Sequence, residues 1–367
     1  MFRPQIQKTR VMLMLCILNL LMVYWAVNSY VQVPTYGYEL KKSAAEKMED
    51  SVELLEKVLY SEENIKIPYP NQHFLIGPER SEIQTTEGSF ASKLSVLNPD
   101  FAAMITEMLI ELEVEEGSHA AVAYTGSYPG ANIAVLSALE AMGLEAIIIS
   151  SCGSSSFGAT QTEMTWIDME TLLYKRGSLS TKSRLASIGG GFDLGTQLSQ
   201  KGKEVCEASI YNNNIELLNI EGKDENIDKR MSVYDAEKIS VFINVGGGII
   251  STGDSLQRAE TPAGIIYPGD TNLDDSQTVL NRFLEKDIPV ININHIHILS
   301  EWYELPYPPG KNYQHGEGTL FYSKKQYNST VIFIALFLAA GTVLTVGIIS
   351  HNEIKRRMHS SEPESFL

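Results

Sequence analysis

Cysteine is scarce in this chain of 367 residues, and so is positive charge. Of the three cysteines, only Cys152 and Cys206 lie outside the long apolar runs. Two cysteines cannot make a disulfide framework, although these two could form a single bridge in an oxidising compartment. The formal net charge is −16, and residues 32–327 hold 23 Lys and Arg against 42 Asp and Glu. A surface this acidic argues against nucleic acid as a partner, because such binding needs clustered Lys and Arg.

Motifs that bind nucleotides are also absent from the sequence. No glycine loop continues into the Gly-Lys-Ser/Thr of a P-loop, and none has the dinucleotide fingerprint Gly-x-Gly-x-x-Gly. The chain has neither a solenoid-type repeat nor a low-complexity tract. We therefore expect no cofactor.

Long apolar runs occupy residues 11–31 and 331–349. Each is about the ~20 residues that a helix needs to cross a bilayer. Basic residues precede the first run and follow the second: Arg3, Lys8, Arg10, Lys355, Arg356 and Arg357. Because positively charged flanks stay in the cytoplasm, the sequence predicts a two-pass protein of the cytoplasmic (inner) membrane. Its tails, 1–10 and 350–367, are then cytoplasmic, and residues 32–327 form an extracytoplasmic domain.

The first run has the features of an uncleaved anchor rather than of a signal peptide. No small-x-small cleavage pattern follows it, and its apolar core is long. Asn19 lies in mid-span, where an amide is costly against lipid, so we expect it to hydrogen-bond to another helix. Beyond the run, residues 39–60 have apolar side chains on one helical face. This N-terminal helix either packs on the domain or, as these boundaries assume, forms a stalk.

Residues 119–160 organise the rest of the chain. An apolar run ends at residues 125–127, and Pro129 fits the first turn of the helix that follows. Gly143 ends that helix, and residues 145–150 are apolar and β-branched, as in a strand buried on both faces. The pattern predicts a βαβ unit in an α/β fold, with a mainly parallel sheet, helices on both faces and glycine loops at the strand ends.

Four predicted strands end in glycine, at Gly126, Gly153, Gly189 and Gly246. Open α/β sheets bind ligands at the carboxyl ends of their strands, so we expect these loops to meet in one cleft. Loop amides and hydroxyls there could hold carboxylates. The candidate ligand-binding residues are Gly126, Ser127, Gly130, Asn132, Gly153, Ser154, Ser155, Ser156, Gly190, Gly246 and Gly247.

Ser127 lies between a strand and a helix, where a nucleophilic serine would find helix N–H groups for an oxyanion. The sequence lacks Gly-x-Ser-x-Gly, however, and the favoured interpretation is that Ser127 caps the helix. As a nucleophile, Ser127 would need an acid or base, for which Asp168 and Glu170 are the candidates.

His295 and His297 fall on one face of a predicted last strand, residues 288–298. They could chelate a metal if a carboxylate joined them, but paired histidines on a strand are more often structural, and no metal is predicted. Residues 223–228 are highly charged and are predicted to form a loop.

Four segments together resemble a known family: Gly-Ser-Tyr-Pro-Gly-Ala-Asn at 126–132, Ser-Cys-Gly-Ser-Ser-Ser-Phe-Gly-Ala-Thr at 151–160, Thr-Trp-Ile-Asp-Met-Glu at 165–170 and Asn-Val-Gly-Gly-Gly at 244–248. The chain resembles the bacterial poly-gamma-glutamate system protein family over most of its length. The resemblance implies a part in capsule-type polymer synthesis or export. It also implies membrane partners, an ATP-dependent amide ligase and a small integral membrane subunit. It brings no established catalytic residues.

Three functions are compatible with these features. The leading hypothesis is a membrane-anchored accessory component that binds the acidic polymer or the partner subunits of its synthase or exporter. The alternative is a serine-dependent hydrolase or transferase acting on gamma-glutamyl amide bonds. The third is a metal-dependent enzyme that uses His295 and His297. The sequence does not indicate an oligomeric state.

Overall fold

The computed structural model describes residues 8–61, 73–269, 277–310, 313, 315–323 and 325–360. The chain divides into two compact units. Unit 1 combines Met1–Pro34 with Tyr322–Leu367, and unit 2 is Thr35–Phe321. Unit 2 lies within the predicted domain of residues 32–327.

Helices and strands are numbered in chain order. The helices are α1 (Thr9–Val27), α2 (Tyr38–Ser61), α3 (Phe90–Ser95), α4 (Asp100–Glu111), α5 (Pro129–Ala141), α6 (Trp166–Lys175), α7 (Gln200–Asn212), α8 (Lys223–Tyr234), α9 (Ile249–Thr252), α10 (Ser255–Glu260), α11 (Val279–Leu284), α12 (Ile296–Trp302) and α13 (Ser329–Ser360). The strands are β1 (Tyr30–Val31), β2 (Gln84–Thr86), β3 (His119–Thr125), β4 (Glu145–Ser151), β5 (Ser154–Ser155), β6 (Leu185–Ser187), β7 (Glu216–Leu217), β8 (Ile239–Val245), β9 (Gly264–Ile266), β10 (Val290–Ile293) and β11 (Gln326–Tyr327).

Unit 1 contains two apolar helices, α1 and α13, which contact each other. By length and composition, Thr9–Val27 and Ser329–His359 could each cross a membrane, which is compatible with a two-pass protein. Beside them, β1 pairs antiparallel with β11. The Asn19 amide donates to Leu15 O of its own helix at 2.7 Å. This local bond, to the carbonyl one turn earlier, occupies one N–H of the amide, so a bond from Asn19 to the second span or to a partner protein stays a prediction.

Unit 2 is built on a seven-stranded sheet with the strand order β7-β6-β4-β3-β8-β10-β9. All neighbouring strands are parallel except β9, which pairs antiparallel with β10. The predicted βαβ unit is confirmed as β3, α5 and β4, with β3 at the centre of the sheet. The fold is therefore mixed α/β with a mostly parallel sheet.

Aromatic side chains pack between the sheet and helices α8 and α11. The rings of Phe242 and Phe283 stack with their centroids 4.6 Å apart, and Tyr234 contacts both rings. The Tyr234 hydroxyl donates to Val122 O at 2.9 Å, which links α8 to β3. Helices α2, α4 and α5 form a second packed group. The interior of β3 is buried on both faces, as its apolar sequence requires.

Helix α2, assumed to be a stalk, instead packs along α4 and α5 within unit 2. Its apolar residues Ala44, Met48 and Leu55 are fully buried against these neighbours. Lys41 is also buried, and its Nζ donates to Glu107 Oε2 at 2.7 Å. Of the two roles left open by the sequence, packing on the domain is the one observed.

The charged residues 223–228, predicted as a loop, instead begin helix α8. Ile227, Met231 and Tyr234 are buried at helical spacing, so a narrow apolar stripe suffices to dock a mostly polar helix. Asp224 and Glu225 lie in the first turn, where negative charge is favourable.

Candidate functional site

A cleft of about 560 Å³ lies at the carboxyl edge of the seven-stranded sheet. Five parallel strands each contribute a residue at or just after their ends: Thr125, Ser151, Gly190, Gly247 and Asn294. The chain leaves β3 toward β4 on one side and returns later to β8 on the other. The cleft therefore lies at a topological switch point, where open α/β sheets bind ligands.

The glycine loops meet at this edge, as the sequence predicts. A Cβ atom at Gly126 would lie 2.6 Å from Cys152 O, and one at Gly246 would lie 2.4 Å from Thr125 Oγ1. Such distances are too short for any side chain, so glycine lets the loops approach each other. Gly126 and Gly246 are not among the residues that line the cleft, whereas the predicted Gly153, Gly190 and Gly247 are. Their part in ligand binding stays a prediction.

Ser127 lines the cleft but does not cap helix α5. The residue before the helix is Tyr128, and no side chain caps the first turn. The Ser127 Oγ instead accepts a hydrogen bond from the Ser155 N–H at 3.0 Å. The capping prediction is therefore wrong, because the loop after β4 supplies the donor that local sequence could not reveal.

The three consecutive serines after β4 differ in environment. Ser155 lines the cleft. Behind it, the Ser154 hydroxyl donates to Gly126 O at 2.9 Å, and the Ser156 Oγ accepts from Gln84 Nε2 at 2.8 Å. All three serines are buried, and Ser155, 7% exposed, is the most accessible of them. Ser154 thus joins this segment to the loop after β3, and Ser156 joins it to β2. Ser155 is the serine of this segment that lines the cleft.

Lys93 is a candidate that sequence reasoning missed. It lies on α3 and is 2% exposed, with its Nζ 2.8 Å from the Ser155 Oγ. It also donates to the backbone carbonyl of Ser127. Burial lowers the pKa of Lys93 well below its ordinary value of 10.5. No local signal marks this residue, because a lysine in a short helix is ordinarily at the surface.

Arg258 is a second missed residue, and it lines the opposite part of the sheet edge beside Gly247. Its Nη1 donates to Gly247 O at 2.6 Å. Within the part of the chain that the structure describes, no carboxylate forms an ion pair with Arg258. A guanidinium has five N–H donors in a fixed fork, so Arg258 keeps donors for an anionic ligand.

Gly130 and Asn132 support the cleft from behind. A Cβ atom at Gly130 would lie 2.5 Å from Val96 O, so glycine allows α5 to begin against the end of α3. The buried Asn132 Nδ2 donates to Thr125 O at 2.9 Å and fastens the first turn of α5 to β3. Both residues were predicted to bind ligand, and the structure gives them a positioning role.

The carboxylates proposed to act with Ser127 are engaged elsewhere. Asp168 forms a capping box with Thr165 at the start of α6. Glu170 accepts hydrogen bonds from the N–H and the hydroxyl of Ser183, each at 3.0 Å. Burial raises the pKa of Glu170 to about 7. Neither carboxylate lines the cleft, so the structure does not bring this acid–base pair to Ser127.

His295 and His297 do not share a strand face, and the prediction of a strand over 288–298 is wrong in its second half. Strand β10 ends before them, and His295 has a left-handed φ of 49° that leads into α12. The His295 Nε2 lies 3.3 Å from Arg258 O, and the two imidazole centroids are 6.4 Å apart. Among the described residues, no group of three or more His, Cys, Asp or Glu side chains could hold a metal ion.

Cys152 and Cys206 are both buried free thiols. A hydrogen bond to Cys206 raises the pKa of Cys152 well above 9.0, and burial adds to this effect. The two thiols are therefore neighbours, as the sequence allowed, but in this structure they are not bridged.

Comparison with known proteins identifies no family. No family model matches the chain, and no curated protein matches it. A solved structure of the alpha-aminoadipate aminotransferase LysN from Thermus thermophilus, complexed with N-(5'-phosphopyridoxyl)-L-leucine, is similar at 13% identity. The alignment covers 90% of this chain and 69% of the aminotransferase, with a TM-score of 0.18, and carries no argument about fold or activity. What the structure defines is a mixed α/β protein with a cleft at its sheet edge and two apolar terminal helices.

Proposed function

We propose that this chain is a membrane-anchored, extracytoplasmic component of a poly-gamma-glutamate synthesis or export system. Its α/β unit binds the acidic polymer in the cleft at the switch point. The resemblance of residues 126–132, 151–160, 165–170 and 244–248 to that family motivates the pathway. The geometry of the cleft supports the choice of binding site.

The observation that carries the proposal is Arg258 in a cleft otherwise lined mainly by hydroxyls and glycine backbone. A guanidinium with free donors binds a carboxylate through strong, often bidentate, charge-assisted hydrogen bonds. Thr125 and Ser127 offer hydroxyls in the same cleft. Gly247 makes room for the Arg258 side chain, because a Cβ atom there would lie 2.3 Å from Arg258 Cδ. A gamma-linked glutamate residue carries one carboxylate and one amide, which these groups can bind.

The acidity of the domain restricts where an acidic polymer can bind. Residues 32–327 carry a surplus of acidic side chains. Glu87, Asp193 and Asp254 also line the cleft. Of these, Asp193 is paired with Arg230 at 2.6 Å. Binding is therefore local to Arg258 rather than spread over the surface, and a few residues of the polymer are held at a time.

The two apolar helices and their basic flanks support the placement. Helices α1 and α13 are long and apolar enough to span a membrane. The basic residues at the outer ends of their apolar runs favour cytoplasmic tails. Unit 2 is then outside, where an exported polymer emerges and where the partner subunits of the synthase or exporter can contact the same anchors.

Binding of fluorescent gamma-glutamate oligomers to the full chain in lipid nanodiscs tests this function. We expect Arg258→Gln to weaken binding at least about tenfold, because a hydrogen bond to a charged group contributes roughly 1.5–3 kcal/mol. Arg282→Gln is the control, since Arg282 pairs with Asp228 of α8 at 3.4 Å and does not line the cleft. Wild-type affinity in Arg258→Gln, or equal binding of alpha-linked oligomers, would contradict the proposal.

A further inference from the structure

The side chains of Lys93 and Ser155 form a pair at the wall of the cleft. The Lys93 Nζ lies 2.8 Å from the Ser155 Oγ and 3.5 Å from the centroid of the Tyr128 ring. Ser155 lines the cleft with 7% of its surface exposed, and Lys93 lies behind it and is 2% exposed. A ligand in the cleft therefore meets the serine hydroxyl first, with an amine directly behind that hydroxyl.

Lys93 lacks the carboxylate partner that a buried ammonium group requires. Across the described segments, no Asp or Glu side chain lies within ion-pair distance of Lys93. Its polar neighbours are the Ser127 carbonyl and the Ser155 hydroxyl. Desolvation disfavours a charge here, and burial lowers the pKa of Lys93. A neutral amine can donate to the Ser127 carbonyl while its lone pair accepts the Ser155 proton.

We propose that Ser155 and Lys93 are a nucleophile and its general base, and that the cleft performs acyl transfer on an amide whose acyl part bears a carboxylate. The proposal goes beyond ligand binding but rests on the proposed function for the cleft and for Arg258 as the partner of the carboxylate. It replaces Ser127 as the nucleophile considered from the sequence, because Ser155, not Ser127, contacts a group able to accept a proton.

The bonds and protons balance without a metal or a redox partner. The Ser155 Oγ forms a bond to the amide carbon, and its proton moves to the Lys93 Nζ. The carbon–nitrogen bond then breaks, and the same proton moves from Lys93 to the leaving amine. Water, or an acceptor amine, next attacks the Ser155 ester and gives a proton to Lys93. The ester bond breaks, and that proton returns to Ser155.

Ser127 is placed to position the reacting groups. Its Oγ accepts the Ser155 N–H at 3.0 Å, which fixes the backbone of the nucleophile. The Ser127 hydroxyl proton has no acceptor among the residues that the structure describes, and Ser127 lines the cleft. It can therefore donate to the carbonyl oxygen of the substrate as negative charge develops there.

Gly88 leaves the space that the Ser155 hydroxyl needs. A Cβ atom at Gly88 would lie 3.0 Å from the Ser155 Oγ and 3.2 Å from the Lys93 Cε.

Arg258 lines the same cleft and gives the substrate carboxylate its charge partner. The substrate class is thus an amide with a nearby carboxylate, of which a gamma-glutamyl amide is one example.

Covalent labelling of the full chain in lipid nanodiscs tests the pair. A fluorophosphonate probe is added between pH 6 and pH 10, and the adduct is located by peptide mass spectrometry. We expect the adduct on Ser155, at a rate that increases with pH as Lys93 loses its proton. Ser155→Ala should lose the adduct, and Lys93→Met should slow labelling at least about 100-fold, as removal of a general base does.

Matched controls exclude a general loss of structure. Ser95→Ala removes a hydroxyl from the same short helix, where it donates to Ala91 O, and Lys47→Met removes a lysine paired with Glu140. Both should label at the wild-type rate. If Lys93→Met does not fold, the position of the wild-type adduct still tests whether Ser155 is the nucleophile. The pH profile of labelling still tests whether a titrating base activates it.

An adduct on another serine, wild-type labelling of a folded Lys93→Met, or no adduct at any pH would overturn the proposal. These outcomes differ from a failure of the binding function. Oligomer binding that depends on Arg258, without any adduct, would refute acyl transfer and leave the binding proposal in place.

Discussion

Glu170→Gln provides a quantitative test of the packing around α6. Glu170 is fully buried, and its two oxygens accept from the N–H and the hydroxyl of Ser183. Glutamine can keep both contacts: its Oε1 accepts from the Ser183 N–H, and its Nε2 donates to the Ser183 Oγ. That hydroxyl can then donate to the Ser150 Oγ, which lies 2.6 Å away. The substitution therefore removes a charge without leaving a buried polar group unpaired.

The effect on stability depends on pH in a defined direction. Burial raises the pKa of Glu170 from an ordinary value of 4.5 to about 7. Between these values the folded chain holds a proton that the unfolded chain releases, so the folded state loses stability as the pH rises. At about 1.4 kcal/mol for each pH unit, the loss above pH 7 amounts to about 3 kcal/mol. Glutamine carries no such cost, so Glu170→Gln is more stable than the wild type at pH 8 and close to it at pH 4.5.

Thermal unfolding of the full chain in nanodiscs at several pH values measures this difference. A change of 1 kcal/mol moves Tm by about 2–4 °C in a large domain, so we expect Glu170→Gln to raise Tm by several degrees at pH 8. Glu163→Gln, at an exposed position on the same segment, is the control and should not alter Tm. A Tm difference that is independent of pH, or a less stable Glu170→Gln at pH 8, would refute the reasoning.

Three further predictions concern the loops and the membrane. Gly126→Ala should strongly lower Tm, because its Cβ would lie 2.6 Å from Cys152 O, whereas Gly117→Ala, with no atom of the described residues within 4 Å, should lower it less; equal Tm values would contradict the loop geometry. Ser127→Ala should lower the free energy of unfolding by about 1–3 kcal/mol, because it leaves the Ser155 N–H without its acceptor; chemical denaturation measures it, and an unchanged midpoint would argue against this bond. Reporter fusions at both termini should show a cytoplasmic location, and a fusion near Gln200 an external one; a cytoplasmic signal at Gln200 would exclude the proposed topology.

Local patterns in the sequence were enough to predict the central βαβ unit and the edge of the sheet where the cleft lies. Apolar runs that end in glycine mark the strands, and parallel strands bring their carboxyl ends to one edge regardless of the details of packing. The glycines that follow β3, β4, β6 and β8 could therefore be placed together before the structure was known. The apolar runs at 11–31 and 331–349 are equally local features, because the length and composition of one segment suffice to identify them.

Only the tertiary structure decided which side chains face the cleft. The Ser127 side chain turns to the Ser155 N–H, and Lys93 reaches Ser155 although the two lie 62 positions apart in the chain. A lysine is expected at the surface unless a fold buries it, and no local pattern reports that burial. Helix α8 was missed for a similar reason, since its narrow apolar stripe is favourable only against the sheet. The position of the cleft at the sheet edge can be predicted from the apolar patterns of single segments. The chemistry of the cleft cannot, because it depends on contacts between segments that are distant in the chain.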